Sequence, residues 1–329
     1  MTVRLFAPLV VLALLSACSE PLTLEPLAEG LSWARRAASP TALYESQGLA
    51  VGDTLYVFGG FYNSRIQATT KSYAFHAPTK RWRALRPLPE AVTHAGQAAY
   101  GDDIYLAGGF LGDHPGPPSN RVWIYDTKRD RWRRGPPLPQ ARGGGALVAL
   151  GGTLHFFGGA VREGHRYRYD SPDHWTLDVK GGSTTWRRAA PLPRARNHLA
   201  GVALGGKLYA VGGQRLGDEV NRNLRLVHAY DPARDRWRRV ADLPYPVGHI
   251  GASSFAHKGR LIVVGGTTQG RRRVASVVAY DPARDRWSHL TPLPEGRSSP
   301  VAGAIGGHLY VTTGMRGGPQ ATTWMGRFR

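Results

Sequence analysis

Glu45, His94, His198 and His249 supply a carboxylate and three imidazoles, groups able to exchange protons near neutral pH. Arg142, Arg196 and Arg297 supply guanidinium forks, which grip carboxylate, phosphate or sulfate through paired hydrogen bonds. An acid and a base beside such a clamp would suffice for proton transfer on an anionic substrate. Without proton transfer, the same groups make a binding site. Each arginine also has a structural use, bonding loop carbonyls of its own or the neighbouring segment. Two further charged clusters, Arg162, Glu163, His165 and Arg166, and then Asp218, Glu219, Asn221 and Arg222, are read first as solvated loop charge. No metal and no cofactor is expected. The histidines fall in different repeat units, and no HExxH pair, GxSxG elbow or glycine-rich phosphate loop leading into a helix occurs. Cys18 is the single cysteine, which excludes an intrachain disulfide and a multi-thiolate zinc site.

These residues gain meaning from the repeats that carry them. A short apolar run ending in a glycine pair recurs at Leu55 to Gly60, Ile104 to Gly109, Leu154 to Gly159, Leu208 to Gly213 and Leu261 to Gly266. A sixth copy, Leu309 to Gly314, has Thr313 in place of the first glycine. The second glycines lie 49, 50, 54, 53 and 48 residues apart. Trp82, Trp132, Trp186, Trp237 and Trp287 each precede a Pro-Leu-Pro-like turn, and Phe75, Tyr125, Tyr230 and Tyr280 stand seven residues before four of them. The string YDPARDRW appears twice, at 230–237 and 280–287. Short apolar runs bounded by glycine suit buried strands, Asp-Pro-Ala-Arg-Asp is turn chemistry, and an indole fills the gap between packed sheets. A period near 50 with four short strands per unit implies a β-propeller.

On these motifs, residues 31–329 resemble a kelch-repeat propeller with six blades of four antiparallel strands, an all-β fold. The chain stops one residue past the aromatic of the sixth blade's third strand, so the missing fourth strand is expected at the other end, around Trp33 in Leu31 to Arg35, closing the ring. Blade III departs from the pattern, with an insertion around Arg162–Asp178 and Val179 seven residues before Trp186. Aligned on the second strand, the blades place Glu45, His94, Gly144, His198, Gly251 and Ser299 at one level of the channel mouth. Two residues earlier stand Leu43, Val92, Arg142, Arg196, His249 and Arg297. The resemblance brings two enzymes into view. Galactose oxidase, with a kelch-type propeller, needs copper and a Cys–Tyr crosslink that a chain whose lone cysteine is Cys18 cannot build. The sialic acid mutarotase is similar in blade number and would need only an acid, a base and an arginine clamp. A non-catalytic binding module is the leading expectation.

The formal charge is +20, from 43 Lys and Arg against 23 Asp and Glu, and only six of the basic residues are Lys. Such charge attracts polyanions, although an arginine-rich codon bias gives the same composition. No basic tail or nucleic-acid motif is present, so a nucleic-acid partner is not expected. Residues 1–17 read as a lipoprotein signal peptide: Arg4, an apolar stretch from Leu5 to Leu15, then Leu15-Ser16-Ala17-Cys18. Acylation of the Cys18 thiol would anchor the chain to a membrane of the bacterial cell envelope, outside the cytoplasm, with residues 18–30 as a lipidated tether. The expected partner is a glycan or an envelope protein, bound by a monomer.

Overall fold

The computed structural model describes residues 30–220 and 222–329. The signal peptide and Cys18 lie outside the described residues, as does Asn221. Six four-stranded antiparallel sheets are arranged as blades. Blade I comprises Gln47–Val51, Thr54–Phe58, Ser72–His76 and Arg81–Ala84; blade II comprises Gly96–Tyr100, Asp103–Ala107, Val122–Asp126 and Arg131–Gly135. Blades III, IV and V repeat the plan from Ala146–Leu150, Ala200–Leu204 and Ser254–His257. In blade VI, Val301–Ile305, His308–Thr312 and Thr323–Phe328 are completed by Leu31–Arg36, paired antiparallel from Leu31 with Phe328 to Arg36 with Thr323. Each first strand packs against the first strands of both neighbouring blades, so the ring is closed.

Repeated residues become repeated contacts. Six apolar clusters each fill one interface between adjacent blades; Tyr209, Val211, Tyr280 and Trp287, for example, share the one between blades IV and V. Every blade also donates one indole N–H to a carbonyl of the blade before it. Trp82 reaches Ala37 O (2.8 Å), Trp132 Arg86 O (3.0 Å), Trp186 Pro136 O (2.9 Å), Trp237 Ala190 O (2.8 Å), Trp287 Ala241 O (2.9 Å) and Trp33 Thr291 O (3.3 Å). In blades II, IV and V the strand-three tyrosine donates to the aspartate of the following turn. The same carboxylate oxygen accepts an amide of the preceding blade, as Asp285 does from Tyr280 and Ala241 N.

Blade III keeps the plan with different residues. Leu177, not Val179, takes the place of the missing aromatic: it pairs with Leu154 as Tyr230 pairs with Leu208. Counting seven back from Trp186 stops two residues short because the turn after Asp178 is longer. The insertion is a hairpin, Ala160–Glu163 with Arg166–Asp170, on the mouth face. In blade VI, Thr313 takes φ +58°, the left-handed value its glycine counterparts adopt.

Candidate functional site

Each chain segment approaching a first strand passes through one residue with positive φ. These six residues are Glu45 (+52°), His94 (+55°), Gly144 (+66°), His198 (+49°), His249 (+58°) and Ser299 (+49°). Here the backbone has no strand partner within its own sheet, and its groups turn to their neighbours around the ring. Gly144 N donates to His94 O (2.9 Å), His198 N to Gly144 O (2.7 Å), His249 N to His198 O (3.1 Å) and Ser299 N to His249 O (3.1 Å). These bonds offset a left-handed backbone that costs a non-glycine residue about 1–2 kcal/mol. The fifth member is His249, not Gly251 as the sequence alignment gives. Ring residues stand nine positions before the second strand in five blades and eleven in blade V, where the chain makes an extra turn closed by Ser253 N to Ile250 O (3.1 Å).

Four of the expected residues therefore meet at the mouth. Glu45 faces His94 Nε2 at 3.2 Å and His249 Nε2 at 3.6 Å. The His198 ring centre lies 4.7 Å from that of His94 and 4.3 Å from that of His249. One nitrogen from each of the three imidazoles lies within 4.8 Å of the others. Their place on different blades is the reason for expecting no metal, and the ring removes that reason: at this level the side chains of blades II, IV and V converge on the channel. Beneath the cluster, Gln97 spans the channel and donates to Gly251 O (2.7 Å), while Gln47 donates to Glu45 O (3.1 Å). Below these amides, the channel wall is largely alanine and glycine of the first strands.

Above the cluster opens a cleft of about 340 Å³, walled by Tyr44, Phe61, Ile66, Met315, Arg271 and Arg273. Burial, and then the adjacent Glu45 carboxylate, push the Tyr44 hydroxyl up to about 12, so it stays a neutral donor. The motif reading overlooked most of this wall, yet a signal existed. Residues following the glycine pair bridge to residues preceding the ring position: Phe61 to Tyr44, Thr267 to Gly248 and Met315 to Ser298. Each is as periodic as the glycines.

The three arginines do not reach the mouth. Their exposure is 2% for Arg142 and 0% for Arg196 and Arg297; their terminal NH groups bond inside their own blades, while each Nε is buried without a hydrogen-bond partner. Arg196 bonds Arg194 O (3.0 Å) and Ala210 O (2.9 Å). Arg297 bonds Thr313 O (3.0 Å), Thr322 O (3.1 Å) and Glu295 (3.2 Å). Arg142 bonds Ala141 O (2.9 Å), Gln140 (2.7 Å) and Asp173, with Trp175 under its guanidinium. Burial pulls Arg196 down to about 9 and Arg297 to about 10, which leaves both charged at neutral pH. Carbonyls at the end of a blade need donors, and these side chains supply them. A mutarotase-type site thus loses its clamp, while Glu45 and the histidines remain.

The charged loops are also engaged. Arg162 lies over the Phe110 ring at 3.9 Å and reaches Gly116 O (3.3 Å), and His165 bonds Pro115 O. Together they hold the blade III hairpin against the loop of blade II. Arg222 pairs with Arg215 in a short ribbon on blade IV.

A family described as the KLHDC2/KLHL20/DRC7 Kelch-repeats domain matches residues 95–314. A kelch repeat-containing protein of Arabidopsis thaliana is 26% identical over 309 residues, covering 87% of this chain and 71% of the relative. Kelch-like protein 35 of Mus musculus is 27% identical over 306 residues, 80% of this chain and 50% of its own length. Kelch-like protein 23 of Homo sapiens is 25% identical over 212 residues, 64% of this chain and 35% of its own length. The chain thus spans about a third to a half of the two Kelch-like proteins.

Proposed function

We propose that this chain, which belongs to the kelch-repeat family, is a non-catalytic binding module whose partner is a protein segment seated in the mouth. The cleft above the histidine ring carries this reading. Its wall sets apolar Phe61, Ile66 and Met315 beside the exposed cations Arg271 and Arg273. That combination suits a loop presenting an apolar side chain next to Asp or Glu. A net charge of +20 steers such a loop inward from a distance.

An envelope location accords with the geometry of the chain start. Leu31–Arg36 runs from the far face toward the mouth, because Leu31 pairs with Phe328 and Arg36 with Thr323. Gly30, whose carbonyl accepts Arg329 N at 3.0 Å, is therefore on the face opposite the cleft. A lipid on Cys18, joined through the 18–30 tether, would let the ring present its mouth away from the membrane.

The test is thermal shift of the protein against short peptides that pair Asp or Glu with Leu or Phe, and against acidic and neutral sugars and murein fragments. The expected result is stabilisation by an acidic–apolar peptide, lost in Phe61→Ala and in Arg273→Ser. Stabilisation by an acidic sugar alone would replace the protein partner with a glycan. A shift that survives both substitutions, or none across the panel, would contradict the mouth as the binding site.

A further inference from the structure

We infer that His94, His198 and His249 form a binding site for one divalent transition-metal ion at the floor of the mouth, with a fourth position open to the cleft. Three features of the molecule support it. First, the three imidazole nitrogens already lie within 4.8 Å of one another, and tetrahedral coordination at about 2.0–2.1 Å would bring them to about 3.4 Å. That contraction is within reach of small side-chain rotations on a fixed backbone.

Second, the histidines are not needed for the ring itself. Gly144 fills the equivalent position in blade III at φ +66°, where glycine carries no steric penalty. Three β-carbons held in left-handed conformations are a local cost of the kind that collects at functional positions. Third, the outer atoms of two rings are held. His94 Nδ1 is 2.9 Å from Thr93 Oγ1, and His198 Nδ1 is flanked by the side-chain amides of Asn197 and Gln214. Such outer partners orient metal-binding imidazoles. His249 Nδ1 is buried with no hydrogen-bond partner.

The donor set selects the metal. Three neutral imidazoles suit Zn²⁺, Cu²⁺, Ni²⁺ and Co²⁺ and discriminate against Mg²⁺ and Ca²⁺, which require oxygen ligands. Glu45, 3.2 Å from His94 and 3.6 Å from His249, supplies a negative charge beside the cation. Side-chain exposures of 9% for His94 and 13% for His249 leave an approach from the cleft. A bound ion would offer its open position to a carboxylate or imidazole of whatever occupies the cleft. The metal site does not depend on that occupant's identity.

The untagged full-length protein, stripped with a chelator, is titrated with Zn²⁺ by calorimetry and with Co²⁺ by visible absorption. The expected result is one equivalent of each, with a Co²⁺ spectrum of low-coordinate imidazole ligation and no response to Mg²⁺. His198→Gln and His249→Gln should each weaken binding at least tenfold. His308→Gln, on the opposite face, should leave it unchanged. Melting of every variant in chelator separates lost ligands from lost fold. Absence of stoichiometric binding, or affinity within threefold of the parent in both variants, overturns the inference. Peptide binding is a separate readout, so the partner reading and the metal site can each fail alone.

Discussion

The indole stitches between blades allow a comparison in which one perturbation has two different costs. Trp287→Phe and Trp237→Phe remove the same N–H donor and the same ring volume from buried side chains, 3% and 7% exposed. The lost volume is worth about 1 kcal/mol in each case. The acceptors differ. Ala241 O receives the Trp287 indole at 2.9 Å, and losing that donor orphans a carbonyl between blades, for about 1–3 kcal/mol. Ala190 O receives the Trp237 indole at 2.8 Å but also His174 Nδ1 at 3.0 Å, so it stays bonded after the substitution. Trp287→Phe should therefore cost about 2–4 kcal/mol and Trp237→Phe about 1 kcal/mol. Urea unfolding at pH 7, followed by fluorescence and far-ultraviolet circular dichroism, reads the difference. Equal losses, or a larger loss for Trp237→Phe, would refute the reasoning. A second check is His174→Leu in the Trp237→Phe background, which should restore the missing cost.

Removing residues 31–38 takes away the fourth strand of blade VI and the Trp33 stitch; a single transition at lower temperature is expected, and an unchanged melting curve would contradict ring closure. Burial draws His155 down to about 3 and His174 and His228 to about 4. These groups stay neutral in the fold while their unfolded counterparts take up protons below about 6.5. Stability is thus full above that pH and falls as pH drops toward 4, by up to about 1.4 kcal/mol per unit for each imidazole; a urea midpoint constant from pH 7 to pH 5 would contradict this. Arg196→Ala should cost about 2–4 kcal/mol of stability without changing ligand affinity at the mouth. Arg273→Ser should do the reverse, and paired melting and binding measurements distinguish them.

Much of the architecture was legible because the repeated residues mark interfaces rather than surfaces. A glycine pair that must turn left-handed and an indole that must reach the previous blade cannot drift, so both recur at a fixed order. The closing strand followed from the incomplete sixth repeat, although Gly326, and not Phe328 as the count gives, takes the aromatic's place between Leu309 and Trp33. The mouth was only partly legible. Backward counting found Glu45, His94, Gly144, His198 and Ser299 but stepped over the extra turn in blade V, and so displaced His249 by two residues. Periodicity placed Arg142, Arg196 and Arg297 at one level of the ring but could not say which way a long side chain turns. The unpaired carbonyls that draw Arg196 and Arg297 inward, Ala210 O, Thr313 O and Thr322 O, exist only once the blade is folded. The cleft wall lay hidden because Phe61, Thr267 and Met315 share one position in the repeat, and Tyr44, Gly248 and Ser298 another, without sharing a residue type.

The central claim is that the mouth is the binding face, and site-specific photocrosslinking in the native cell tests it most directly. A photoreactive residue replaces Tyr62, 40% exposed in the loop after the first glycine pair, or Lys128, 72% exposed in a turn on the opposite face. The account predicts a discrete protein adduct from position 62 that disappears in the Arg273→Ser background, with none from position 128. An adduct from position 128 alone, equal adducts from both, or none from position 62 would contradict it.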